Sequence, residues 1–199
     1  IEPIDIEYAR KIGCRIKLLA ISRNHGDNVE ARVHPTMVPE DHMLATIGGA
    51  FNGILVNGDT VGDVLLYGQG AGMMPTGSAV ISDIVDIARN LMTGTTGRIP
   101  IFSYQPDAIR KIPVMPVDDI TTHYYFRFAA VDRPGVLSKI SGILGENGIS
   151  IRSVHQKGRK SEGPVPIVML THRATEAHVK KALAEITHLD IVSDQPVLI

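Results

Sequence analysis

The sequence predicts an α+β chain in two parts, a mixed-sheet α/β module followed by a βαββαβ unit. Three observations carry this. Strand and helix periods succeed one another through residue 93. Residues 94–122 then break every period, with Gly94, Gly97, Pro100, Pro106, Pro113 and Pro116. From residue 124 a regular strand–helix alternation resumes. The length of 199 residues suits one large domain or two small ones, and 44% hydrophobic residues can fill packed cores. A net charge of −1 argues against a general nucleic-acid binder. A single cysteine rules out an intramolecular disulfide framework and fits a reducing, cytoplasmic setting. No uncharged apolar run approaches the roughly 18 residues of a membrane span, and no secretory signal pattern opens the chain.

In the first part, residues 5–13 read as a short helix stopped by Gly13. Residues 15–22 read as a strand running into the turn-forming 24–28, and residues 29–38 as its partner, with Pro35 marking an edge or a bulge. One helical turn is expected at 41–46. Residues 51–57 and 61–67 are strands joined by Gly58-Asp59-Thr60, a hairpin signal. After the glycine-rich 68–72 comes a helix with Pro75 in its first turn. Val80, Ile81, Ile84, Val85, Ile87, Ala88 and Leu91 keep helical spacing, and Gly94 closes it.

A connection as long and as broken as 94–121 reads as a linker, so the expected parts are 1–93, 94–121 and 122–199. In the last part, strands are expected at 124–131, 149–156 and 165–171. Helices are expected at 134–146 and at 175–186, the second capped by Thr175. Residues 157–163 form a polar turn, and 190–192 begin a final strand. This order packs as four antiparallel strands with both helices on one face.

Val131-Asp-Arg-Pro-Gly-Val-Leu137, at the turn from the first strand to the first helix, and Asn147-Gly-Ile-Ser-Ile151 give this unit a signature that resembles the ferredoxin-like ACT domain. The residue types suit the chemistry. Gly135 permits a tight turn and close backbone approach. The helix start at Gly135, Val136 and Leu137 presents N–H groups suited to an amino-acid carboxylate. Asp132 either holds an ammonium group or caps the helix, and for Asp132 alone the cap is favoured. The resemblance implies a regulatory module that binds an amino acid, commonly between paired domains.

The first part resembles the C-terminal half of homoserine dehydrogenase. The residues that carry this are Ala9-Arg-Lys-Ile-Gly13, His34-Pro35, Ala50-Phe-Asn52-Gly, Gly58-Asp59 and, most specifically, Tyr67-Gly-Gln-Gly-Ala-Gly72-x-x-Pro75-Thr76. The resemblance implies an NAD(P)-dependent oxidoreductase interconverting L-aspartate 4-semialdehyde and L-homoserine, with L-threonine as the natural effector. It places the helix after the glycine loop back against a nucleotide-binding domain. By the same resemblance Gly72, and then Gly70 and Thr76, contact the cofactor. A tight strand-to-helix turn is the plain alternative for that loop.

Two features of that family are missing from these residues. No Asp-x-x-Gly-x-Asp-x-x-x-Lys segment with its proton-transferring lysine occurs, so no catalytic residue is assigned. The fingerprint G-x-G-x-x-G is also absent: counting from Gly68 the third glycine position is Met73, and from Gly70 it is Pro75. With Ile1 in place of an initiator methionine, the expectation is a C-terminal piece whose cofactor is held mainly by an N-terminal domain outside it, inactive alone. A homo-oligomer through the first module and the ACT sheet edges is expected. The rival expectation is a non-catalytic ACT module that only binds amino acids or dimerises.

Among the eight histidines, His25, His34 and His42 lack metal-site spacing and read as surface or hydrogen-bonded groups. Cys14 reads as a buried thiol. The basic stretch 155–160 reads as a solvated turn. Asn52 and Asp59 face either a substrate or their own turns.

Overall fold

The computed structural model describes residues 1–95, 106–156 and 163–199. The expected turn at 157–163 lies outside them except for Gly163. The chain forms two compact units, one of residues 1–37 with 112–199 and the other of residues 38–111. These units cut the chain elsewhere than the sequence modules do, because the first residues pack with the last ones.

In the larger unit, helix α1 (Pro3–Lys11) leads into strands β1 (Cys14–Asn24) and β2 (Val29–Pro39), which pair as a two-stranded ribbon. Both strands run longer than the sequence suggests, and β2 continues through Pro35. The parallel bridge from Val29 to Val114 draws the incoming connection alongside β2.

The smaller unit begins with one 3-10 turn at Met43–Ala45. It continues as a hairpin of β3 (Phe51–Gly58) and β4 (Gly62–Gln69), then helix α2 (Met73–Thr93). The hairpin register pairs Gly58 with Gly62 and leaves Asp59, Thr60 and Val61 as the loop. Gly94 ends α2 in the left-handed conformation at φ 67°, as its position past the last periodic residue requires. No residue of α2 is buried: its apolar positions, Ile81, Ile84 and Leu91 among them, are all exposed.

The rest of the larger unit consists of β5 (Thr121–Thr122), β6 (Tyr125–Ala130), α3 (Val136–Glu146), β7 (Ile151–Gln156), β8 (Val165–Thr171), β9 (Ala174–Thr175), α4 (Glu176–Thr187) and β10 (Val197–Leu198). The main sheet is antiparallel in the order β10-β6-β8-β7, and β5 pairs separately with β9. One face packs on α3 and α4 through Phe126, Phe128, Ile140, Leu144, Val179 and Ile186, all fully buried. This is the expected βαββαβ arrangement, with two corrections. The last edge strand is interrupted: Val192 bridges Ala130, and pairing resumes only at Val197, past Pro196, which has no N–H to offer a ladder. Thr175 occupies the N-cap position of α4 without a side-chain cap; its hydroxyl meets that of Thr121 at 3.2 Å instead.

The opposite face of the sheet is covered too. Helix α1 lies there, with Tyr8 packed on Tyr125 and Val168, and Ile4, Leu170 and Ile199 around them. Strand β8 is therefore covered on both faces, by α3 and α4 on one and by α1 on the other, whereas an antiparallel sheet commonly leaves one face to water.

Candidate functional site

The turn from β6 into α3 forms one wall of a cavity of about 380 Å³. Residues Val131–Leu137 line it, joined by Gln156 at the end of β7 and Ile167 on β8. All four residues singled out from the sequence here, Asp132, Gly135, Val136 and Leu137, belong to the lining. Gly135 is the N-cap of α3 at φ 88°, a conformation that side chains resist. A glycine there contributes no capping side chain to the start of α3. The N–H of Val136 is partly used, donating to the carbonyl of Arg133 at 3.4 Å. The side chain of Val136 points into the core, only 3% exposed, whereas Leu137 is 40% exposed.

The lining therefore combines a carboxylate (Asp132), a guanidinium (Arg133), an amide (Gln156), backbone N–H groups at a helix start, and apolar walls from Val131, Pro134 and Ile167. Gln156 and Ile167 were not legible as site residues, because they come from strands distant in sequence. The loop at 131–137 was legible because its turn chemistry is local.

The glycine loop is a different kind of place. Gly70, Gly72 and Thr76 are all exposed. Gly72 is the N-cap of α2 at φ 132°, and a Cβ on it would meet Pro75 Cδ at 3.2 Å. Gly70 donates its N–H to the Ala50 carbonyl at 3.0 Å, and a Cβ there would run into the side-chain amide of Asn52. The N–H of Thr76 donates to the Gly72 carbonyl at 3.1 Å. Both glycines thus have local reasons for being glycine. The loop is an exposed strand-to-helix turn held by its own backbone hydrogen bonds.

The remaining candidates resolve into local roles. Asp59 accepts from the N–H of Thr60 at 2.8 Å, which is turn chemistry, and Asn52 packs against the backbone at Gly70. His25 meets Glu30 at 3.2 Å, His34 meets the Pro35 carbonyl at 2.8 Å, and His42 accepts from the Leu44 N–H at 3.2 Å. Among the described residues no group of three or more His, Cys, Asp and Glu could hold a metal. Cys14 is half-buried rather than buried. No helix among the described residues is long and apolar enough to cross a membrane.

One charged cluster was missed altogether. Asp5, completely buried, accepts from Arg127 Nε at 2.6 Å and from the Tyr125 hydroxyl at 2.9 Å. Its second oxygen accepts from the Glu2 N–H at 2.7 Å and from Arg127 Nη2 at 3.3 Å, and Arg127 Nη2 also donates to Glu2 Oε2 at 2.9 Å. Burial works to raise the Asp5 carboxyl, but the hydrogen bonds from Arg127, the Glu2 backbone and Tyr125 outweigh it and hold the pKa below the usual carboxylate range. Burial, and then the hydrogen bond to Asp5, push the Tyr125 phenol far up. No local period reveals this pairing, since its partners stand more than a hundred positions apart.

Comparison with known proteins bears on both regions. Residues 1–85 match the homoserine dehydrogenase family and residues 124–189 match the ACT domain. A homoserine dehydrogenase of Neisseria gonorrhoeae is 45% identical over 94% of this chain and 43% of its own length. One of Pseudomonas aeruginosa is 42% identical over 95% of this chain and 44% of its own length. The crystal structure of a homoserine dehydrogenase from Thiobacillus denitrificans superimposes with a TM-score of 0.86 and 42% identity, over 98% of this chain and 44% of that one. The chain thus spans less than half the length of the relatives it matches. Two family matches in the same order, with relatives aligned across nearly every residue, assign residues 1–85 to the homoserine dehydrogenase family and residues 124–189 to the ACT domain.

Proposed function

We propose that the chain is the C-terminal assembly and regulatory portion of an NAD(P)-dependent homoserine dehydrogenase, and that its ACT domain binds an amino-acid effector, L-threonine first among them. In this reading residues 1–93 carry the end of the catalytic domain, 94–121 connect, and 122–199 regulate. The observation that carries the effector assignment is the cavity at residues 131–137, where a carboxylate, a helix start and apolar walls converge. Asp132 holds the ammonium group, the backbone at Gly135, Val136 and Leu137 receives the carboxylate, and Ile167 bounds the side chain. Feedback by an end product of the route to threonine and methionine is the role such a site would serve.

For the oxidoreductase chemistry, NAD(P) supplies the hydride acceptor. This chain contributes an edge to its site through Gly72, Gly70 and Thr76, while the main cradle and the proton-transferring lysine belong to the part of the enzyme that carries the nucleotide-binding domain. The exposed apolar side of α2 suits a return to that domain. The protein acts in the cytoplasm as a homo-oligomer, associating through the first module and the ACT sheet edges, with no nucleic-acid or membrane partner.

Coexpression with the nucleotide-binding half of a homoserine dehydrogenase relative tests the enzymatic reading. NADP-dependent oxidation of homoserine should appear only when both parts are present. Turnover by the 199-residue chain alone would contradict it.

A further inference from the structure

We propose that Arg127 is a positioning residue that couples the cavity at 131–137 to helix α1, so that filling the cavity and closing the Asp5–Arg127–Tyr125 clasp favour one another. The juxtaposition lies in strand β6. Tyr125 and Arg127 reach α1 from one face of the sheet, while Phe126, Phe128 and Ala130 fill the core on the other. Four residues beyond Arg127, about 13 Å along the strand, Val131 opens the cavity. Its N–H is pinned to the Ile191 carbonyl at 2.9 Å.

The neighbouring strand repeats the pattern. Ile167, paired with Phe128, lines the cavity, and the next residue, Val168, paired with Arg127, packs beneath α1. Strand β8 thus offers one residue to the cavity and the next to the helix, while β6, hydrogen-bonded to it, holds α1 through Tyr125 and Arg127 and runs into the cavity wall at Val131. Packed strands do not deform smoothly, so a change of register or twist at one end is felt at the other. The clasp is suited to report it. Asp5 is at once the third residue of α1, where it accepts from the Glu2 N–H, and the buried partner of Arg127. Losing the Arg127 contact therefore loosens the helix start as well as its docking. By linkage the coupling runs both ways.

The ligand arm of this proposal rests on the amino-acid reading of the cavity; the ligand-free arm does not. Amide hydrogen exchange on the full chain tests both. Without ligand, Arg127→Met should speed exchange in α1 and also at 131–137, by about fivefold or more, the lower end of ordinary coupling. With saturating L-threonine, α1 of the unaltered chain should slow by a similar factor. In Arg127→Met only 131–137 should respond. Faster exchange in α1 with 131–137 unchanged would overturn the proposal, as would protection of 131–137 by threonine with α1 unmoved. If Arg127→Met unfolds the sheet, Arg127→Lys decides by the same comparison, because it keeps the charge and loses the fork. If no amino acid protects 131–137, the effector reading fails, and the ligand-free comparison alone decides the coupling.

Discussion

Asp5 collects donors from three directions while shut off from water, and so its removal and the removal of its partner are not equivalent. Arg127→Met leaves a buried carboxylate with only the Tyr125 hydroxyl and the Glu2 N–H as donors. Breaking a buried ion pair from one side costs about 3–5 kcal/mol. Because a tenth of the Arg127 side chain stays exposed, the lower figure is expected in chemical denaturation. Replacing both, Asp5→Leu with Arg127→Met, should recover most of that loss. The pH dependence has a definite sign. A carboxyl held below its unfolded value stabilises the fold fully above about pH 4, the unfolded value for Asp, and that contribution is lost as pH falls through the lower folded value. Stability of the unaltered chain should therefore decline below about pH 4. Asp5→Asn should be less stable at neutral pH and show a shallower decline. An identical slope in the variant would contradict this assignment.

At the scale of elements, the turn into α3 concentrates the most consequence in the fewest atoms. Gly135 sits at φ 88°, and a Cβ there would meet nothing within 4 Å. The cost of Gly135→Ala is therefore backbone strain alone, about 1–2 kcal/mol, measurable as a lowered Tm. If the turn relaxes to relieve the strain, the first N–H groups of α3 swing out of the cavity, and affinity for an amino acid should fall more than stability does. The glycine loop before α2 obeys the same backbone logic at Gly72, at φ 132°. Helices α3 and α4 illustrate what periodicity delivers. Ile140 and Leu144, or Val179, Ala182 and Ile186, recur at helical spacing and are all buried as that spacing demands. In α2 the same spacing is present and the same kind of residue stays exposed, because the helix stripe specifies that a partner is needed and not which one.

For the whole molecule, the βαββαβ unit was legible because its first three strands and both helices are announced locally, by alternation, by helical spacing and by turns at Gly135 and Gly148. The wall of the cavity formed by 131–137 was legible because Val131–Leu137 carries the turn signature that resembles the ACT domain. Three features were not. The docking of α1 depends on Asp5 and Tyr8 meeting Tyr125, Arg127 and Val168 across the length of the chain, and a nine-residue helix carries no sign of which sheet it covers. Strand β10 follows Pro196, which hides it from a search for continuous alternation. Gln156 and Ile167 reach the cavity only through the pairing of β7 with β8. Long-range pairing is the common cause: residue patterns specify elements well, and the partners of those elements much less.

An amino-acid site at the start of α3 is the central proposal for this chain. Calorimetric titration of the chain with L-threonine and then with the other amino acids tests it most directly. Saturable heat is expected with threonine, or with one other small amino acid, and its loss in Asp132→Ala. The absence of heat with every amino acid, in a chain that still unfolds cooperatively, would contradict it and leave the ACT domain a purely structural part.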